Sequence, residues 1–189
     1  MKVILDLCGG TGSWSKPYKE AGYDVRLITL PETDVIDYQP PKNVYGILAA
    51  PPCTQFSLAR TTAKIPRNFF EGMETVKACL EIIWVCRASA DSKLRFWALE
   101  NPMGYLRQFL GKPALTFNPC DYGDAYTKKT DLWGFFKEPK KNTVELDDET
   151  KALCAINSRK LPKIEGLNQA ARRAITPAGF ARAFFEANK

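Results

Sequence analysis

Three short segments carry residue types that can do chemistry. The first is Asp6-Leu7-Cys8-Gly9-Gly10-Thr11-Gly12, a glycine cluster directly after an apolar run. Glycines allow a tight turn and let a ligand approach the backbone, and a following helix offers N–H groups to it. The second is Pro51-Pro52-Cys53-Thr54, again after an apolar run. Two prolines stiffen the backbone, and the cysteine behind them can act as a sulfur nucleophile. The third is Leu99-Glu100-Asn101-Pro102, where a carboxyl ends an apolar stretch and can hold or deliver a proton. Each has a plainer reading alone: an ordinary glycine turn, a core cysteine in a stiff turn, a helix N-cap or solvated acid. The chain has no histidine. Ser-His-Asp and Cys-His hydrolases are therefore excluded, and acid–base work falls to Asp, Glu, Lys, Tyr or Cys.

The elements that must position these segments follow from the pattern of apolar residues. Strands are expected at Lys2–Leu7, Asp24–Leu30, Tyr45–Ala50 and Leu94–Leu99. Between them, helices are expected from Ser15 to Ala21, stopped by Gly22, and from Phe69 to Ser89. In the second helix Val76, Leu80, Ile83 and Val85 are taken as buried, with Glu71, Glu74 and Lys77 on the wetter face. A short helix is expected at Tyr105–Leu110, a pair of strands at Leu115–Phe117 and Asp131–Phe136, and a last helix at Pro177–Asn188. Strands alternating with helices predict an α/β fold with a mostly parallel central sheet and helices on both faces. In such a sheet all three segments end strands at one edge, where ligands bind.

Composition narrows the class further. The 189 residues fit one domain, spanning 1–189. No apolar run approaches the roughly 18 residues of a membrane span, and the N-terminal run is broken by Asp6, so a cytoplasmic protein, bacterial or in a phage-infected cell, is expected. Six cysteines show no Cys-x-x-Cys spacing, and without histidine no metal site is expected. The net charge of +6 suits a polyanion. From Lys151 to Lys189 eight basic residues face two acidic ones. Arg159, Lys160, Lys163, Arg172 and Arg173 are candidates for phosphate contact, with a solvated helical face as the alternative.

Taken together, the three segments resemble those of the cytosine-5 methyltransferases, and most closely the short, phage-type DNA members. The Pro-Pro-Cys-Thr, Leu-Glu-Asn-Pro and Tyr126-Thr127-Lys128 blocks carry the likeness, which runs from residue 2 to about 136 and weakly through Ile175 to Asn188. The resemblance implies a shortened Rossmann-like S-adenosylmethionine-dependent methyltransferase fold. It implies S-adenosyl-L-methionine on Asp6, Cys8, Gly9, Gly10, Gly12 and Pro51. It implies Cys53 as the nucleophile toward carbon 6 of cytosine, Glu100 as the acid at ring nitrogen 3, and Lys128 beside the base. Nucleic-acid contacts would fall on Gln55, Ser57, Arg60, Lys128, Lys129, Arg172 and Arg173, with Arg60, Lys64 and Arg67 as the other basic surface.

Several positions depart from the family. Cys8 stands where a phenylalanine usually meets the adenine, and Trp14 is the candidate replacement ring. Leu30 stands where an acid usually holds the ribose, so Glu32 is the stand-in, while Asp34 matches the adenine contact. Lys128 and Thr130 replace two arginines. The link after the second strand is short, as if a helix and a strand were deleted. Only about forty residues follow Phe136 before the C-terminal block, so 137–170 is at most a minimal recognition segment. DNA, duplex or single-stranded, is the expected partner, and a partner subunit could supply target recognition. Two alternatives stay open: a non-catalytic nucleic-acid-binding or regulatory protein on the same scaffold, and a methyltransferase for RNA or a free nucleotide.

Overall fold

The computed structural model describes residues 1–61, 63–150, 172 and 174–189. Its framework is one six-stranded sheet. In chain order the strands are β1 (Val3–Leu7), β2 (Asp24–Ile28), β3 (Val44–Ala49), β4 (Phe96–Pro102), β5 (Leu115–Phe117) and β6 (Thr130–Phe135). They lie side by side as β2-β1-β3-β4-β6-β5. The first four are parallel, while β6 runs antiparallel to both β4 and β5. The α/β reading and the mostly parallel sheet are therefore observed.

Period-two alternation sorts the side chains. Val3, Leu5 and Leu7 of β1 join a core under helix α2 (Phe69–Ala88), with Ile47, Ala49 and Leu99. Ile4, Leu48, Phe96 and Ala98 point the other way. There they meet Trp14, Tyr18 of α1 (Lys16–Glu20), and Phe180, Phe184 and Phe185 of the C-terminal α4 (Ala178–Asn188). The second core is rich in aromatic rings: Phe117 and Phe180 stack with centroids 3.9 Å apart, and Tyr18 meets Phe185 edge-on at 4.9 Å. Removing one such ring leaves a cavity costing about 3–5 kcal/mol.

Two strand ends and one buried position differ clearly from the sequence expectation. The fourth strand does not stop at Leu99. Pairing of Glu100, Asn101 and Pro102 with Leu132, Asp131 and Thr130 of β6 carries it to Pro102. The second strand stops at Ile28, short of Leu30. In α2, Val76 and Ile83 are buried, but Val85 is 58% exposed. Apolar residues ring this helix, so periodicity alone could not say which side would meet the sheet.

The short helix α3 (Arg107–Leu110) follows β4. A single 3-10 turn, Pro119–Tyr122, was not foreseen. The chain after β6 ties back at Lys137, whose N–H donates to Asn188 Oδ1 at 2.8 Å. The end of the expected recognition segment, together with Arg159, Lys160, Lys163 and Arg173, lies outside the described residues. Among the described residues no helix is long and apolar enough to cross a membrane, and no cluster of metal-ligating side chains occurs.

Candidate active site

The glycine turn is built by strain and close approach. Cys8 leaves β1 with φ 57°, a left-handed conformation that non-glycine residues avoid, and Gly10 and Gly12 follow at 54° and 69°. The Cys8 N–H donates to the Ile28 carbonyl at 2.7 Å, so β2 holds the turn from outside. Gly9 crosses directly over Asp6: a Cβ there would lie 2.3 Å from the carboxyl carbon. Only glycine fits that crossing.

Asp6 itself is fully buried. Ser15 Oγ donates to its Oδ2 at 2.5 Å, while Oδ1 has no partner. Burial pushes its carboxyl up to about 6, against the Ser15 hydrogen bond that lowers it. Trp14, 2% exposed, presents an indole Nε1 that is also unpartnered. Orphaned buried polar atoms are rare, and each costs about 1–3 kcal/mol. Asp6 and Trp14 both line the same cavity.

That cavity has a volume of about 400 Å³. Its walls bring together Asp6, Cys8, Gly9, Gly10 and Trp14 from the turn, Pro51, Cys53, Ser57 and Arg60 from the loop after β3, Glu100 from β4, and Lys128. Ala174, Ile175 and Thr176 close it from the C-terminal side, and the Thr176 N–H donates to Ser13 Oγ at 3.1 Å. Burial raises the Glu100 carboxyl above its ordinary value; Lys128 opposes this and Asp131 adds to it. The group is therefore biased toward its protonated, donating form.

The Cys53 loop is clamped from several sides. Its carbonyl accepts from the Phe56 and Ser57 N–H groups at 3.0 and 2.8 Å. Asn101 Nδ2, one residue past Glu100, donates to the Pro51 carbonyl at 2.9 Å. Arg67 donates to the Gln55 and Ser57 carbonyls, both at 2.9 Å. Arg60 donates to Gln55 Oε1 at 2.7 Å and to the Ile65 carbonyl at 2.8 Å. Gln55, Arg60 and Arg67, read from sequence as nucleic-acid contacts, thus also brace the Cys53 loop. Ser15 and Asn101 have no role in the sequence reading. A serine at a helix start and an asparagine at a strand end are common, and only burial marks these two.

Other expected residues lie apart from the cavity walls. Glu32 is exposed, and Asp34 is half-buried with its Oδ1 accepting from the Ile36 N–H at 3.0 Å. The neighbouring Cys79 thiol holds the Cys8 thiol below its usual value, against burial and the nearby Asp34 and Asp6 carboxyls, which raise it. Trp14 packs edge-on against Phe184 at 5.4 Å, so its ring is core and only its edge reaches the site. Lys129 is exposed outside the walls, Arg172 half-buried outside them. Thr130, buried, donates to the Lys128 carbonyl at 2.9 Å.

Asp6 Oδ1 is an unused acceptor for an ammonium group, the glycine turn admits a ligand to its backbone, and the cavity lies within the range of small-molecule sites. Compared with known proteins, the chain matches no family model and no curated protein.

Proposed function

We propose that the protein transfers a methyl group to carbon 5 of cytosine in DNA, on a shortened Rossmann-like methyltransferase scaffold. One observation carries the reading: a single cavity is lined at once by the strained Asp6–Gly10 turn, by Cys53 and by Glu100. A binding module needs neither a clamped thiol nor a protonation-biased acid beside its ligand pocket.

The chemistry follows from these side chains. Carbon 5 of cytosine is too weak a nucleophile to accept a methyl group unaided. The Cys53 thiolate adds to carbon 6, and Glu100 donates a proton or hydrogen bond at nitrogen 3, making carbon 6 more electrophilic. Carbon 5 becomes enamine-like. S-adenosylmethionine, when bound, supplies the electrophilic methyl group. Loss of the carbon-5 proton to solvent then expels Cys53 as thiolate. Asp6 and the turn would hold the amino acid end of the cofactor, and Lys128 would face the base. Clamping of the Cys53 loop by Asn101, Arg60 and Arg67 keeps the sulfur in place without further ordering.

The test is transfer of labelled methyl from S-adenosylmethionine to DNA, RNA and cytidine nucleotides, followed by nucleoside analysis. 5-Methylcytosine from DNA is expected. Methyl on the exocyclic amine, or no product from any of the three, contradicts the proposal.

A further inference from the structure

A second, larger concavity lies elsewhere, on the outer face of α2. It measures about 1150 Å³ and lies between that helix and residues 35–40. Large apolar side chains stand open along it: Phe70 is 89% exposed, Trp84 67% and Ile36 56%. Apolar patches of this size mark interaction surfaces.

The exposed stripe of α2 is self-complementary. Lys77 and Glu81 lie one turn apart and pair at 3.5 Å within the chain. A second α2 laid antiparallel, with its two-fold axis at the level of Cys79, puts Lys77 beside Glu81 of the second copy, and Glu81 beside its Lys77. The same register sets bulky Phe70 at the level of Ala88 and Met73 at the level of Val85. It sets Trp84 at the level of Glu74, where an indole N–H meets a carboxylate. All of these α2 residues are exposed or half-buried in the single chain. In this register Phe70, Met73 and Trp84 each meet a smaller or complementary residue, and no like charges meet at these levels.

We propose that this face is the interface of a two-fold symmetric dimer of the chain, with α2 packed antiparallel on α2. Such an isologous contact is the commonest way to close an oligomer, and it requires a patch that complements itself. The proposal rests on the α2 face alone and stands or falls independently of the methyl-transfer reading.

The experiment is sedimentation of the whole chain across micromolar concentrations. The wild type is expected to show a monomer–dimer equilibrium. Lys77→Glu and Glu81→Lys should each weaken the dimer about tenfold or more, because both reciprocal ion pairs become repulsive. Mixing these two variants should restore it as a heterodimer, since an acid-only stripe then faces a base-only stripe. Trp84→Ser, at an exposed position that leaves the fold intact by circular dichroism, should also lose the dimer. A wild type monomeric throughout overturns the proposal, as does a charge variant that dimerises like wild type. Failure of the mixed variants to associate overturns the antiparallel register.

Discussion

The two concavities of this molecule differ in what surrounds them. The cavity at the ends of β1, β3 and β4 is small, about 400 Å³, and its walls are costly. They include a buried carboxyl with one oxygen unpartnered, an orphaned indole N–H and a left-handed cysteine. A strained residue of this kind stores about 1–3 kcal/mol. The α2 groove is larger, about 1150 Å³, yet its walls are mostly apolar side chains with one ion pair, Lys77–Glu81, among them. Volume alone would point to the α2 groove. The unpartnered carboxyl oxygen and the left-handed cysteine instead belong to residues of the small cavity, which is why the proposed chemistry is put there. The large groove marks a helix face that nothing in the described chain covers, as the proposed dimer requires.

Substitutions can break or sharpen this contrast. The largest effect belongs to Cys53→Ala, which should abolish turnover by several orders of magnitude while calorimetry finds cofactor affinity nearly unchanged. Glu100→Gln should slow the chemical step by about 10²–10⁴ in single-turnover assays. Because the Glu100 pKa is raised, the wild-type rate should fall as pH climbs through it, and the variant should lack that limb.

Asp6→Asn should weaken cofactor binding about tenfold or more, since charge-assisted contacts are the strong ones. It should also stabilise the cofactor-free protein. The folded pKa of Asp6 lies above its ordinary 3.8, at about 6. Folding is therefore favoured with the proton on, and that contribution is lost as pH rises from about 4 to 6. Above that window the cost is on the order of 2–3 kcal/mol, which the asparagine removes. Thermal unfolding at both ends of the window checks it: the variant should gain at neutral pH and little in acid. The smallest effect is expected from Trp84→Ser in the groove, with turnover per site unchanged within about twofold.

Much of the chemical edge was legible because glycines and prolines punctuate the strand ends. The turn at Gly9 and the strand stop before Pro51 fall where the spacing predicts, while Glu100 lies within β4 rather than just past its end. What was hidden depends on partners distant in sequence. The extension of β4 to Pro102 requires β6, some thirty residues on, to pair with it. The exposure of Val85 depends on what α2 lacks outside, which no periodicity reports. Arg60 reads as a nucleic-acid contact by charge; that it also holds Gln55 and the Ile65 carbonyl depends on a loop fold the sequence does not spell out. Ser15 matters only because Asp6 points to the α1 face of the sheet, a consequence of alternation along β1.

The central claim is that the small cavity carries out attack by Cys53 on cytosine. Its most direct measurement uses DNA containing 5-fluorocytosine, where the fluorine cannot leave as the proton does and the enzyme stays attached. Incubation with S-adenosylmethionine, denaturing electrophoresis and mass spectrometry of the product would read the adduct. The account predicts a covalent protein–DNA species linked through Cys53, formed only with the cofactor and absent in Cys53→Ala. No adduct, or one that persists in Cys53→Ala, would contradict it.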